Sequence, residues 1–180
     1  MRIISGIYKN TKLQSPNSDK THPMGDREKL ALFNMLTPYL DGAIVLDAFA
    51  GTGALGLEAM SRGARHVTFV EKSSPVAHIL ETNLKITLKN DEIVRKSARN
   101  IIGDVRSLRS TDFPEKFTLI IADPPYDLFS EALISPLVQF LAPSGVLALS
   151  MPKTSPTPSL EGLEVLTEKT YASAKIVIYK

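Results

Sequence analysis

"AIVLDAFAGTGALGLEAMSRGARHVTFVEK", residues 43–72, is the stretch on which the fold turns. It begins with "AIVLDAF" (43–49), a continuous apolar run ending in an acid. A run without polar alternation suits a parallel strand covered on both faces. "ALGLEAMSRGA" then has helical composition, and Gly63 supplies a residue that readily closes a helix. "HVTFVE" (66–71) is a second strand-like run, and it also ends in an acid.

The alternation continues on both sides. Ser74-Pro75 opens a helix with proline at its first position, faced by Val76, Ile79, Leu80, Leu84 and Leu88. "FTLIIA" (117–122) and "GVLALSM" (145–151) read as further strands. Between them a helix from Ser130 to Leu141 is interrupted at Pro136. Upstream, a helix runs from about Asp26, an acidic cap, to Leu36, with Leu32, Phe33, Leu36 and Leu40 at helical spacing. After the proline-rich loop "PKTSPTPS", the segments "LEVLTEKTY" and "AKIVIYK" read as a closing hairpin, whose strands must pair antiparallel. Strands alternating with helices predict an α/β domain with a mostly parallel sheet. Ligands of such sheets bind beyond the carboxyl ends of the strands, near the switch point. That singles out three strand ends: Asp47, Glu71 and Asp123.

With 180 residues, 43% of them apolar and 22% charged, the chain can bury a sizeable core. It has no cysteine, which excludes a disulfide framework, a thiolate metal site and a thiol nucleophile. His22, His66 and His78 are scattered without ligand spacing, so no metal is expected. No apolar stretch approaches the roughly 18 residues of a membrane span. The start, "MRIISGIYKN", is charged too early for a signal peptide, so a cytoplasmic protein is expected. Net charge is only +2, yet the first 20 residues hold Arg2, Lys9, Lys12 and Lys20 against Asp19 alone. Such a segment can contact phosphates, and a solvated face accounts for the same charge. "RIISGIY" and "TKLQS", joined by a tight turn at "KN", predict a small hairpin, followed by a loop over "NSDKTHPMG".

Gly51, Gly53 and Gly56 satisfy G-x-G-x-x-G, and Glu71 lies 20 residues beyond Gly51. This spacing describes a dinucleotide fingerprint and fits S-adenosylmethionine equally well. Asp47 decides between them. An acid beneath the loop repels a pyrophosphate and favours a ligand with an ammonium and a cationic sulfur. The ligand's carboxylate can use free N–H groups at the following helix N-terminus.

"ADPPY" (122–126) follows the later buried strand. Proline at 124 pushes Asp123 into extended geometry, and neither proline has an N–H to offer. The corner therefore presents carbonyls and a carboxylate, acceptors suited to an exocyclic amine. Tyr126 supplies a flat face for a base.

These residues resemble a known pattern. "DPPY" is similar to the [D/N]-P-P-[Y/F/W] tetrad of amino-methyltransferases acting on nucleic-acid bases, whose Asn form also serves enzymes methylating glutamine amides. Over nearly its full length the chain resembles the RsmD family of small-subunit ribosomal RNA guanine-N2 methyltransferases. "MRIISGIYKNTKL", "THPMGDREKLALFNML", "LDAFAGTGALGLEAMSRGA", "FVEK" and "ADPPY" carry the likeness. His22 stands where the family usually has Arg, and Met24-Gly25 where it often has two hydroxyl residues. The resemblance implies a seven-stranded, Rossmann-like class I methyltransferase domain over 25–180, with an N-terminal RNA-contacting hairpin extension over 1–24. It implies S-adenosylmethionine as cofactor, bound by Asp47, by Phe49 to Gly53 (Ala50, Gly51 and Thr52 included), and by Glu71 and Lys72. Asp123, Pro124 and Tyr126 would hold the guanine, with Asp123 also facing the cofactor. Arg2, Lys9, Lys12 and Arg27 would contact RNA. The partner implied is 16S ribosomal RNA, free or in an assembling small subunit, and a monomer is expected.

For the adenine, two stretches compete, "RKSA" (95–98) and "GDV" (103–105). If Ser97 caps a helix, Ile101, Ile102, Val105 and Leu108 form its apolar stripe, which favours Ser97-Ala98 over Asp104-Val105. Other functions weighed are methylation of another exocyclic amine or a protein amide, a nicotinamide-dependent oxidoreductase, and RNA binding without catalysis. No hydride-transfer residues stand out, and the intact loop and tetrad speak against lost catalysis.

Overall fold

A computed structural model describes residues 1–16, 24–89, 92–172 and 174–180. The loop expected around 17–23, with His22, lies outside the described residues. The chain forms a seven-stranded sheet: β1 (Ile44–Asp47), β2 (His66–Glu71), β3 (Ala98–Ile102), β4 (Phe117–Ala122), β5 (Leu141–Pro152), β6 (Val165–Thr170) and β7 (Ala174–Tyr179). Their spatial order is β3-β2-β1-β4-β5-β7-β6. The first five run parallel, and β7 pairs antiparallel with both β5 and β6. The expected closing hairpin is therefore β6–β7, with β7 inserted beside β5.

The order reverses at β1, which pairs with β2 on one side and β4 on the other. Asp47 is level with Phe69 and with Ile121. Glu71 and Asp123 thus stand two residues further along the neighbouring strands, and three acids gather at one edge of the sheet.

Successive side chains of β1 point to opposite faces, and both faces are covered. Val45 joins the core beneath α1 (Asp26–Leu36), α2 (Ala54–Ser61) and α3 (Ser74–Leu88). Ile44 and Leu46 join the opposite core with Ile134, Leu137 and Phe140. This double burial explains the unbroken apolar run. Leu32, Phe33 and Leu36 of α1 are buried, each fully buried side chain contributing about 1.5–3 kcal/mol. Gly25, not Asp26, occupies the cap of α1, and Asp26 lies in its first turn. Beyond β4, α5 (Glu131–Ile134) gives way to a 3-10 turn over Ser135–Phe140, which contains Pro136. Tyr179 is buried, and its hydroxyl donates to the Pro158 carbonyl at 3.0 Å.

Two local expectations are corrected. The N-terminal segment pairs antiparallel only at an Arg2–Lys12 bridge, and its turn spans Gly6 to Asn10, wider than "KN" alone. Residues 97–108 are not a helix. After α4 (Glu92–Arg95), Ala98–Ile102 form β3, in parallel register with Val67–Glu71, and a 3-10 turn covers Val105–Ser107. Pairing with β2 outweighs the weak helical period, and tertiary pairing routinely overrides local propensity.

The segment 1–16 is part of the same core. Ile3 and Leu13 are buried among α1, α2 and α3 residues. Buried Glu58 of α2 accepts from Ile4 N–H at 2.7 Å, Ser5 N–H at 3.0 Å and Arg62 Nε at 2.7 Å. Buried Lys29 donates to the Arg2 carbonyl at 2.7 Å. Gly6, at φ +83°, sits so close to the Ser61 carbonyl that a Cβ would fall 1.8 Å from the oxygen.

Candidate active site

The loop after β1 crosses the carboxyl edge of the sheet and is tied to both neighbours. Ala48 N–H donates to the Ile121 carbonyl and Ala50 N–H to the Val70 carbonyl, both at 2.9 Å. Gly51 and Gly53 have positive φ, +54° and +83°. Their roles differ. A Cβ on Gly53 would lie 2.2 Å from Leu80 Cδ1, and one on Gly56 would lie 2.2 Å from Phe69 Cε1. Those two glycines let the loop and helix pack on the sheet. A Cβ on Gly51 would meet nothing within 4 Å, so Gly51 borders open space.

Asp47 lies beneath this loop, fully buried. Its Oδ2 accepts from Gly56 N–H at 2.8 Å, in the first turn of α2. Its Oδ1 is buried with no hydrogen-bond partner among the described residues. Burial raises the carboxyl to about 7, against the pull of the Gly56 bond and with help from the charges of Asp123 and Glu71. The oxygen is sealed beneath the loop, so what Asp47 offers a ligand above is negative charge, which suits one bearing positive charge.

Glu71 ends β2 and reaches back to the loop. Its Oε2 accepts from Gly51 N–H at 2.8 Å and its Oε1 from Ser73 N–H at 2.7 Å. Next to it Lys72 is ion-paired with Asp104 at 3.1 Å. Asp104 follows the carboxyl end of β3, where Gly103 N–H donates to the Glu71 carbonyl at 2.9 Å. Arg106 grips Asp104 through Nε at 3.0 Å and Nη2 at 2.6 Å, which holds its carboxyl well below the usual range. Ser97 and Ala98 lie at the other end of β3. Ala98 is level with Val67, four residues before Glu71, so the pair sits roughly 13 Å from the site edge at about 3.3 Å per residue. The structure brings Asp104, not Ser97-Ala98, to Glu71. The helical period misled because Ile101 and Ile102 fit an edge strand equally well.

Asp123 directly follows β4 at the same edge and is half-buried. Burial pushes its carboxyl up to about 6, and a bond from the Ser150 hydroxyl draws it partly back. Pro124 is buried and Pro125 exposed. The Pro125 carbonyl accepts from Leu128 N–H at 3.0 Å, closing the turn. The Tyr126 ring is 40% exposed, while its hydroxyl meets Ser150 Oγ at 3.1 Å. One edge of the ring is thus fastened and the rest is open. Burial raises the phenol, the Ser150 bond draws it partly back, and the charges of Asp123 and Glu28 add to the rise. Ser150 was missed from the sequence, although a serine inside the apolar run "LALSMP" was a usable signal.

Of the four basic residues, Lys9, Lys12 and Arg27 are exposed, and Arg2 pairs with Asp26 of α1 at 3.5 Å. Met1 reaches the glycine loop, where Thr52 Oγ1 donates to its Sδ at 3.4 Å. Phe49 is half-buried, Ala50 and Thr52 buried. Among the described residues no group of three or more His, Cys, Asp and Glu side chains could hold a metal ion.

Comparison with known proteins bears on this arrangement. The model of a family described as "Conserved hypothetical protein 95" matches residues 1–180. A Haemophilus influenzae "Ribosomal RNA small subunit methyltransferase D" is 34% identical over 186 residues, covering 100% of this chain and 93% of that protein. The Escherichia coli protein of the same name is 35% identical over 150 residues, covering 82% of this chain and 70% of its own. A solved hypothetical protein from Thermus thermophilus superposes with a TM-score of 0.82 at 28% identity, covering 99% of this chain and 98% of the other.

Proposed function

Since the chain belongs to the Conserved hypothetical protein 95 family, the RsmD-type methyltransferases, we propose that it transfers a methyl group from S-adenosylmethionine to the N2 amine of a guanine in 16S ribosomal RNA. The observation that supports this reading most is the Asp123 carboxylate, set at a donor-free corner beside an exposed Tyr126 ring and the Gly51 cradle.

S-adenosylmethionine supplies an electrophilic methyl group on a cationic sulfur. Asp47, buried beneath the loop, would favour the positive end of that molecule through its charge. Gly51, without a side chain, lets the backbone approach it. Glu71 would hold the ribose hydroxyls through its carboxylate, and Asp104, fixed by Lys72 and Arg106, would flank the adenine. Phe49, Ala50, Thr52 and Gly53 shape the loop. At the corner, Asp123 and the Pro124 carbonyl would accept the hydrogens of the guanine amine, leaving the nitrogen lone pair free for the methyl group that the cofactor would give up from its sulfur. Positioning of this kind lowers the barrier without new covalent chemistry. Asp123 also stabilises the positive charge that develops on nitrogen, and then takes up the departing proton or passes it to water. Tyr126 stacks on the base, held at its hydroxyl by Ser150.

The basic extension, residues 1–24, serves the RNA together with Arg27, and residues 25–180 serve the chemistry. Arg2, Lys9 and Lys12 contact phosphates. The enzyme acts as a monomer in the cytoplasm, on free or assembling small-subunit RNA. No helix among the described residues is long and apolar enough to cross a membrane.

The test is methyl transfer from labelled S-adenosylmethionine to 16S ribosomal RNA, free and in subunits, followed by nucleoside analysis. N2-methylguanosine is expected. Label on adenine N6, cytosine N4 or protein amide instead would move the substrate assignment, and no label on any of them would remove it.

A further inference from the structure

Asn83 lies in the middle of α3 with its side chain fully buried. Two segments far apart in the sequence share its amide. Nδ2 donates to the Gln14 carbonyl at 3.0 Å and to the Thr52 carbonyl at 2.9 Å. Oδ1 accepts from Gln14 N–H at 2.7 Å. Both amide hydrogens are engaged, one on the basic arm and one on the glycine loop. Neither bond serves α3 itself, where an apolar residue between Leu80 and Leu84 would pack without a buried polar group to satisfy.

The loop depends on such ties. Thr52 stands between Gly51 and Gly53, two glycines with positive φ, and glycine backbone has little preference of its own. Thr52 is held to the arm a second time, through its hydroxyl on Met1 Sδ, and the Met1 carbonyl accepts from Leu13 N–H at 3.1 Å. Where the arm sits therefore sets where Thr52 sits, and with it the Gly51 cradle. The same arm carries Arg2, Lys9 and Lys12.

Resting on the function proposed above, we infer that Asn83 is a positioning residue that couples the basic arm to the cofactor loop, so that RNA on the arm tightens cofactor binding. By linkage, the cofactor tightens RNA by the same factor.

The experiment measures S-adenosylhomocysteine affinity by calorimetry, alone and with saturating 16S ribosomal RNA, both protein-free and in small subunits. In wild type the RNA should improve affinity about tenfold, a typical coupling. Asn83→Leu removes both ties, and Asn83→Asp keeps the acceptor for Gln14 N–H but loses the donor to Thr52. Both should bring the ratio close to one, with thermal melts recorded to separate coupling from stability. A wild-type ratio of one with both forms of the RNA overturns the inference while leaving the function intact. So does a tenfold ratio that survives in both folded variants, since Asn83 would then be structural only. Failure of wild type to bind either ligand would count against the function itself. If neither variant folds, wild-type hydrogen exchange at Gln14 N–H decides. S-adenosylhomocysteine should slow it, and unchanged exchange contradicts the coupling.

Discussion

Asp47 and Asp104 are carboxylates at one edge of the sheet, on β1 and just after β3 with β2 between them, and their electrostatics are opposite. Asp104 meets a bidentate guanidinium and is held low, whereas Asp47 is buried with one oxygen unpartnered and is raised to about 7 from the ordinary 3.8. The raised group binds its proton more tightly in the folded chain than in the unfolded one. Folded stability from Asp47 is therefore greatest below about 4 and is lost as pH rises through about 7. A cationic ligand prefers the ionised form, so S-adenosylmethionine affinity should run the other way, improving from pH 6 to pH 8. In Asp47→Asn both trends should flatten, as melts and calorimetry across that range would reveal. An affinity independent of pH in wild type would mean that no cation binds within reach of the Asp47 charge.

At the scale of elements, α2 is fixed to β2 by the absence of a side chain. Phe69 is fully buried and has no room to retreat from a Cβ on Gly56. Gly56→Ala should lower stability by about 1–3 kcal/mol, the usual range for overpacking, measurable by urea titration. A loss below about 0.5 kcal/mol would show that α2 shifts freely, and surface-like tolerance of that size is typical of unpacked sites. The strand–loop–helix of residues 43–63 was legible because three local signals agree there: an apolar run, a glycine loop and a closing glycine. β3 was not legible, since Ile101, Ile102, Val105 and Leu108 satisfy a helical period, and only pairing with β2 selects the strand. The acids at 47, 71 and 123 could be found from their places at run ends. The ties of Glu58 and Asn83 to the arm and the glycine loop could not, because those partners are backbone groups more than 30 residues away.

Across the whole molecule, a nearly neutral chain spreads exposed cations over many faces, and those of the arm and of the first turn of α1 are the ones assigned to RNA. Replacing Arg2, Lys9, Lys12 and Arg27 together by neutral residues should weaken RNA binding. The logarithmic salt slope should fall by up to about 3, at roughly 0.7 per phosphate contact with single strands. Filter binding across salt concentrations would register this, and an undiminished slope would place the RNA on another face. The central claim concerns the corner at Asp123, and its removal should leave the fold standing, because a carboxyl raised to about 6 does not stabilise the folded state at neutral pH. The most direct measurement is single-turnover methyl transfer to 16S ribosomal RNA with both substrates saturating, comparing wild type with Asp123→Ala and Asp123→Asn. Asp123→Ala should be slower by roughly 10²–10³-fold, the usual loss on removing one electrostatic stabiliser, with Asp123→Asn between it and wild type. Transfer by Asp123→Ala at the wild-type rate would contradict the assignment and reduce the tetrad to a turn.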